Sequence, residues 1–259
     1  MDYIKFLGTA GARIVVSKQL RASGGTWLCL DDANIYLDPG PGALVKCTSS
    51  RPKLDPTKLD AIILSHKHLD HSSDVNVMIE AMTEGGFKKR GTLFAPQDAL
   101  SVDPVVFKYV RSYVKEVKIL KEKNSYQIKD VIFTTPVKHI HGSVETYGLN
   151  FKTSKFTISF IVDTRFFPEL VRHYRADILI INLVRLKPSH LDHLCLDEAK
   201  KIIGEVRPRV AILTHFGMTI LRARPWKLAE QLEKELGLKV ISASDGMMFE
   251  PEKWKKITN

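Results

Sequence analysis

Short apolar runs, separated by glycine, proline and polar residues, recur along the whole chain, and most have the length of a β-strand. The run at 61–65 is almost continuously apolar, which is typical of a strand that is covered on both faces. The later runs at 177–182 and 210–214 are equally rich in Ile, Val and Leu. These patterns predict strands over residues 3–7, 26–31, 33–38, 61–65, 92–95, 130–137, 147–151, 156–162, 177–182, 210–214, 239–243 and 247–250.

Three segments are expected to be helical. The first, at 74–84, follows serine and aspartate residues that can cap its start, and two glycines come directly after it. The second and third cover residues 197–206 and 225–236, and Gly237 ends the third.

The order of these elements predicts the fold class. Many strands with helices between them, especially in the later half of the chain, indicate a layered α/β architecture. A turn at 244–246 is expected to join the last two strands. Because no repeat, low-complexity run or long linker interrupts the sequence, we expect one domain over residues 1–259.

Composition points to a protein of the cell interior. No apolar stretch reaches the length of a membrane-spanning helix, and the N-terminus lacks the pattern of a signal peptide. Cys29, Cys47 and Cys195 are scattered and have no CxxC spacing, which is typical of a reducing compartment. We therefore expect a cytoplasmic location and no membrane partner.

The chain carries a formal net charge of +10. Such a charge favours anionic partners, either a small-molecule substrate or a nucleic acid. The basic residues are spread along the chain, however, and we expect no interleaving of aromatic residues with them of the kind that marks a nucleic-acid-binding surface. The charge pattern therefore favours a lysine-rich solvated surface, and it is a weak indication of the partner.

The segment that carries chemistry is 65–71, directly after the apolar run at 61–65. It places His66, His68, Asp70 and His71 within six residues. Adjacent histidines contribute little to a core and repel one another when protonated. Neutral imidazole and carboxylate are, however, the ligands that zinc and similar ions prefer. In extended backbone, His66 and His68 point to the same side, so both can reach one ion.

The HxHxDH motif resembles the signature of the metallo-β-lactamase fold metallo-hydrolase superfamily. Four further segments follow the order of that family: a strand-ending turn with Asp38, then His141, then Asp163 at the end of a strand, then His215. The resemblance covers nearly the whole chain. It implies a four-layer αββα sandwich with the site on loops at one edge of the two sheets.

The resemblance also implies a set of metal ligands. One metal would be held by His66, His68 and His141, a second by Asp70, His71 and His215, with Asp163 bridging both. His139 is an alternative to His141 for the first metal. Asp38 would orient a ligand by a hydrogen bond. None of the cysteines matches a ligand position.

The chemistry implied by the resemblance is hydrolysis by a metal-bound hydroxide at a pair of divalent cations. Zn²⁺ is the expected ion, with Mn²⁺ and iron as alternatives. Asp70, through the second metal, and His193 are the predicted catalytic residues. His193 resembles the accessory histidine of the tRNase Z and cyclic-phosphodiesterase branch, which binds phosphate or protonates the leaving oxygen; His190 is the second candidate for that role.

These features favour a phosphodiester substrate, either a small or cyclic one or the end of a nucleic acid. The spacing between Asp163 and His193 leaves no room for the long arm of some tRNase Z forms. The alternatives left open are hydrolysis of a carboxylic ester, lactone or thioester, metal binding by a sensor without turnover, and di-iron redox chemistry. A homodimer is possible on family grounds.

Overall fold

A computed structural model describes residues 1–101 and 103–254. Residues 255–259 of the expected single domain, including the basic pair Lys255 and Lys256, lie outside the described residues. The assignment of one domain stays a prediction.

The strands are β1 (Tyr3–Gly8), β2 (Ser23–Leu30), β3 (Ala33–Leu37), β4 (Ala61–Ile63), β5 (Thr92–Ala95), β6 (Glu116–Ile119), β7 (Asn124–Ile128), β8 (Val131–Thr135), β9 (Leu149–Lys152), β10 (Thr157–Ile161), β11 (Ile178–Asn182), β12 (Val210–Thr214), β13 (Lys239–Ser242) and β14 (Met248–Phe249).

The α-helices are shorter and lie mostly between strands. They are α1 (Ala12–Ser17), α2 (Ala43–Thr48), α3 (Leu69–Ser72), α4 (Val75–Met82), α5 (Glu169–His173), α6 (Leu196–Val206), α7 (Met218–Arg222) and α8 (Pro225–Leu236). Short 3-10 turns occur at Pro56–Lys58, Gln97–Ala99, Val110–Ser112 and Pro251–Trp254. Among the described residues, no helix combines the length and the apolar character that a membrane crossing requires.

Two seven-stranded mixed sheets form the centre of the fold. The first sheet has the strand order β14-β1-β2-β3-β4-β5-β6, and the second has the order β13-β12-β11-β10-β9-β8-β7. In the first sheet β3 to β6 run parallel, and in the second β10 to β13 do. Helices cover the outer face of each sheet, so the four-layer αββα architecture is confirmed.

The continuous apolar runs follow from this layering. On β4, Ala61 and Ile63 face the core between the sheets, whereas Ile62 packs with the helix layer around α4. On β11, Ile180 likewise faces the inter-sheet core and Ile181 faces the helices. Both faces of these strands are buried, so neither face needs polar residues and the alternation expected of a half-exposed strand is lost.

The last two strands are joined by the predicted turn at 244–246. The two strands lie in different sheets, however, because β14 pairs with β1 and β13 pairs with β12. The turn therefore carries the chain from one sheet to the other. Asp245 explains the path: its Oδ1 accepts hydrogen bonds from the backbone N and Oγ1 of Thr9, and its Oδ2 accepts one from the backbone N of Ala22. These bonds tie the turn to the first sheet.

Candidate metal centre

The site lies where the parallel strands of both sheets end. Asp38 follows β3, the segment 65–71 follows β4, Asp163 follows β10 and His215 follows β12. Carboxyl ends of parallel strands meet at one edge of a sheet, and here the edges of the two sheets face each other. The fold therefore brings together polar residues that are far apart in sequence.

The first group of donors consists of His66, His68 and His141, whose ring nitrogens lie within 4.8 Å of one another. Nε2 of His141 is 3.0 Å from Nδ1 of His68. Nδ1 of His141 donates a hydrogen bond to the backbone carbonyl of Asp192 at 2.9 Å, so its Nε2 carries the lone pair. Three imidazoles that converge in this way can bind one cation.

A chain of hydrogen bonds orients His66. Oγ of Ser65 donates to Oδ2 of Asp38 at 2.7 Å, so it accepts from Nδ1 of His66 at 3.0 Å. Nε2 of His66 is buried and has no hydrogen-bond partner among the described residues. Burial lowers the pKa of His66 well below its ordinary value. The ring is therefore neutral, with its lone pair directed at the cluster.

The second group consists of Asp70, His71, Asp163 and His215, again with donor atoms within 4.8 Å of one another. Nε2 of His215 lies 3.4 Å from Oδ2 of Asp70, and Nε2 of His71 lies 3.7 Å from Oδ2 of Asp163. The same Oδ2 of Asp163 is 3.6 Å from Nε2 of His141 in the first group. Asp163 thus stands between the two groups.

Charges in the second group favour a cation. Burial alone would raise the pKa values of Asp70 and Asp163, but neighbouring histidines hold both well below the ordinary value, so both carboxylates stay ionised. Burial alone would lower the pKa of His71, yet Asp70 and Asp38 raise it well above its ordinary value. Without a metal, a proton on His71 balances these carboxylates. A divalent cation would provide that balance instead.

Two glycines allow the backbone to approach these ligands. A Cβ on Gly11 would lie 2.2 Å from the backbone oxygen of His215, and one on Gly40 would lie 2.0 Å from that of Asp70. His215 itself has a positive φ of 58°. Residues other than glycine seldom adopt this conformation, and it is maintained by the surrounding structure.

The residues present fit a pair of metal ions. Buried side-chain nitrogens without a hydrogen-bond partner cost free energy, and in the described residues they concentrate here. Of the seven buried, unpartnered side-chain atoms, five are histidine nitrogens of the candidate centre or its immediate neighbour: His66 Nε2, His71 Nε2, His193 Nδ1, His215 Nδ1 and His215 Nε2. Imidazole nitrogens that converge on ionised carboxylates form the donor set that metal ligation requires.

His139 lies apart from both groups. Its Nε2 is 2.8 Å from the hydroxyl of Tyr174, and both side chains are buried. Burial lowers the pKa of His139 to about 3, so the ring stays neutral. The structure therefore places His141, not His139, with His66 and His68. The ligand roles themselves stay predictions.

His193 borders the cluster, whereas His190 does not. Nδ1 of His193 lies 3.6 Å from Oδ2 of Asp163, and its ring centroid is 4.8 Å from that of His141. His190 is exposed on the preceding loop.

Sequence reasoning missed two residues at the centre. Asp192 fixes His141 through its backbone carbonyl, and Nδ2 of Asn182 donates to Oδ1 of Asp163 at 2.8 Å. Asn182 had a signal, because it is the polar residue that ends the apolar run of β11 at the edge where the ligands gather. The contact of Asp192 is made by its backbone and leaves no trace in the sequence.

Comparison with known proteins identifies the family. The family model described as a beta-lactamase superfamily domain matches residues 33–216, which include every candidate ligand. The chain belongs to the metallo-β-lactamase superfamily. Among relatives of this superfamily, an uncharacterized protein, MJ1374 of Methanocaldococcus jannaschii, is 32% identical over 258 residues, which cover 95% of this chain and 94% of the relative.

Solved structures of the metallo-β-lactamase superfamily share the fold. The metallo-beta-lactamase fold protein YhfI from Bacillus subtilis superposes with a TM-score of 0.79 at 20% identity, covering 96% of this chain and 98% of YhfI. A diphosphatase from the PhnP family superposes with a TM-score of 0.72 at 23% identity, covering 96% of this chain and 98% of the diphosphatase. At these identities the similarity shows the fold, and the site must be argued from its own residues.

Proposed function

We propose that this chain is a two-metal hydrolase that cleaves a phosphodiester. When bound, two divalent cations would lower the pKa of a water molecule toward ~7 and polarise the bond that breaks. Zn²⁺ suits the nitrogen-rich first group, and Mn²⁺ and iron are alternatives. In this proposal one cation is held by His66, His68 and His141, the other by Asp70, His71 and His215, with Asp163 between them.

The position of His193 is the observation that favours a phosphodiester substrate. It stands beside both Asp163 and His141, and its side chain is only 14% exposed. A histidine in this place can donate a hydrogen bond to a phosphoryl oxygen or protonate the leaving oxygen of a diester.

The electrostatics of His193 suit an anionic substrate. Burial lowers its pKa to about 4, so the ring is neutral at pH 7 in the free protein. A phosphate group beside the ring would raise that pKa, because a nearby negative charge favours the protonated form. The ring would then gain its proton when the substrate binds, as a general acid requires.

Two further observations support an anionic, phosphorus-containing substrate. The chain carries a net charge of +10, which attracts anions. One solved neighbour with the same fold is a diphosphatase, so this architecture accommodates hydrolysis at phosphorus.

The first test quantifies metal and compares substrates. Purified protein is analysed for metal content and assayed with bis(p-nitrophenyl) phosphate, a dinucleoside phosphate, p-nitrophenyl acetate and a thioester. We expect about two metals per chain and turnover of the diesters. Turnover of the carboxylic esters alone would instead identify the ester, lactone or thioester hydrolase. Bound metal without any turnover would indicate a sensor, and bound iron with oxygen consumption would indicate redox chemistry.

A matched pair of variants tests the role of His193. His193→Ala should lower kcat for the dinucleoside phosphate by about 10²–10⁴-fold if the ring protonates the leaving oxygen. The p-nitrophenyl diester should lose much less, because p-nitrophenolate leaves without a proton. His190→Ala, the exposed neighbour, is the control and should resemble the wild type. Equal losses on both diesters would assign His193 to phosphate binding, and no loss on either would remove it from the site.

A further inference from the structure

The surface beside α4 carries four aromatic side chains, Phe87, Phe107, Tyr109 and Tyr113, which we call the aromatic strip. The rings of Phe107 and Tyr109 are stacked, with centroids 6.1 Å apart, and those of Tyr109 and Tyr113 meet edge to face at 6.0 Å. The backbone of Gly86 lies against the Tyr113 ring, so close that a Cβ there would be 2.8 Å from it. Phe87 follows Gly86 in the chain, and a Cβ on Gly85 would lie 3.6 Å from its ring.

Three of the four rings face outward to an unusual degree, whereas Tyr113 packs partly against the core. Phe87 is 92% exposed, Tyr109 55% and Phe107 51%. Large aromatic side chains normally bury most of their surface, because exposure forfeits the hydrophobic free energy. A single exposed ring needs no explanation, but several in contact mark a surface that binds something.

Hydrogen bonds hold the strip in place, so its exposure is a property of the fold. Nδ2 of Asn76 on α4 donates to the backbone oxygen of Val105, and Oδ1 of Asn76 accepts from the backbone N of Phe107, both at 2.9 Å. At the other end, the backbone N of Lys88 donates to the backbone oxygen of Thr83 at 2.9 Å. Both segments of the strip are thereby fixed to α4.

Lysines flank the strip. Lys108 separates Phe107 from Tyr109 in the chain, and the exposed Lys88 and Lys89 follow Phe87. Lys115 is also exposed, and its backbone N donates to the oxygen of Gly91. Carboxylates also lie nearby: Glu84 pairs with Lys88 at 2.8 Å, Glu80 lies beside Tyr109, and the exposed Glu116 follows Lys115. The cations outnumber the carboxylates, which favours a polyanion.

The strip is aligned with the candidate metal centre. It follows α4, which begins at Val75, shortly after the predicted ligand His71. Phe107 lies beside Asn76 near this end of the helix, and Phe87 lies beyond the other end. The eight residues of α4 extend about 12 Å, since the rise is ~1.5 Å per residue. The rings therefore lead away from the metal centre along the outer helix layer.

We propose that this aromatic strip and its lysines bind single-stranded nucleic acid. Successive unpaired bases stack on exposed rings whatever their sequence, and lysines beside the rings neutralise the phosphates. Phe107, Lys108 and Tyr109 alternate aromatic and basic residues within one segment, so the sequence-based expectation of no such interleaving was wrong here. Binding of nucleic acid at the strip does not depend on the proposed function. The further inference that the bound strand is the substrate of the metal centre does rest on the proposed function.

Fluorescence anisotropy with a labelled U12 oligoribonucleotide tests the proposal on the full, metal-loaded chain. We expect binding that weakens as salt rises. The double variant Phe87→Ala/Tyr109→Ala should bind about tenfold more weakly for each ring lost. The charge variant Lys89→Glu/Lys108→Glu should lower both the affinity and its salt dependence. Trp226→Ala, which removes a 51% exposed ring on α8, is the matched control and should bind as the wild type does.

Turnover of bis(p-nitrophenyl) phosphate, measured on the same variants, separates this proposal from the proposed function. All four proteins should cleave it equally, because no strip residue contacts the metal centre. Strip-dependent oligonucleotide binding without any diesterase activity would refute the proposed function and leave the strip intact. Three results would each overturn the strip proposal. They are failure of the wild type to bind the oligonucleotide, binding by the strip variants that is as tight as that of the wild type, and sedimentation showing that the strip mediates self-association instead.

Discussion

The backbone carbonyl oxygen of Asp192 lies 2.9 Å from Nδ1 of His141 and accepts a hydrogen bond from it. This bond fixes the ring orientation and leaves Nε2 free for a metal. The side chain of Asp192 adds a second connection, because its Oδ2 accepts from the backbone N of Gly142 at 2.8 Å. The next residue along the chain is His193. One segment therefore orients a predicted ligand and holds the predicted acid.

Asp192→Ala should weaken metal binding by about tenfold, because the loss of the bond to Gly142 loosens the carbonyl that orients His141. Competition with a fluorescent zinc chelator measures this affinity. Arg165→Ala is the control: Nε of Arg165 lies 4.0 Å from Oδ1 of Asp192 and its side chain is 59% exposed, so the pair contributes little. Equal metal affinity in Asp192→Ala and wild type would show that the carbonyl needs no support from the side chain.

His141→Ala and His139→Ala should separate the preferred ligand, His141, from the alternative that the sequence left open, His139. His141→Ala removes a nitrogen from the first donor group, so metal content should fall toward one ion per chain. His139→Ala breaks the buried bond to Tyr174, which should lower the free energy of unfolding by ~1–3 kcal/mol but leave two ions bound. Metal analysis and thermal unfolding read out the two effects. Loss of metal in His139→Ala alone would reverse the assignment.

Much of the fold could be predicted from the sequence, because most of its strands are apolar runs bounded by polar residues, glycine or proline. The run at 61–65 indicated a strand covered on both faces, and β4 packs between the inter-sheet core and the helix layer. Strands β6 and β7 were missed because most of their residues are exposed or half-buried, which leaves no apolar pattern to detect. Helices α1 and α2, of six residues each, were too short to show a helical period.

The residues of the candidate site, like the elements of the fold, could be predicted only in part from the sequence. The segment 65–71 holds four possible metal ligands close together, so the sequence alone indicates a metal site there. Asp163 and His215 are single polar residues after strands, and their prediction as ligands depended on the family resemblance. Asp192 acts on His141 through its backbone, which no side-chain pattern can reveal. Three rings of the aromatic strip lie in the segment 107–113 and are visible in the sequence, but only the fold shows that two of them are exposed and that Gly86 lies against Tyr113.

The three cysteines should be dispensable for metal binding. Burial raises the pKa of Cys47 to about 12 and also raises the pKa values of Cys29 and Cys195. At pH 8 these thiols stay protonated, and N-ethylmaleimide reacts with the thiolate. The native protein should therefore label slowly and keep its metal and activity, whereas the unfolded chain should take up three labels. Rapid labelling that releases metal would place a thiol at the centre.

Asp38→Asn should weaken metal binding by about 10–100-fold while the fold survives. Oδ2 of Asp38 accepts from Nδ1 of His71 at 2.9 Å and from Oγ of Ser65 at 2.7 Å, and Oδ1 accepts from the backbone N of Ser65. An asparagine keeps one acceptor, but its amide nitrogen would face two donors.

The least costly response of His71 to Asp38→Asn is to move its proton from Nδ1 to Nε2, and that shift removes the lone pair directed at the second donor group. Asp55→Asn is the control, because it removes a carboxylate of equal charge whose hydrogen bonds are only to Thr57. Calorimetric titration of the metal-free proteins with Zn²⁺ measures the difference. If both variants bind zinc as the wild type does, Asp38 does not set the tautomer of His71, and the charge of the cluster alone retains the metal.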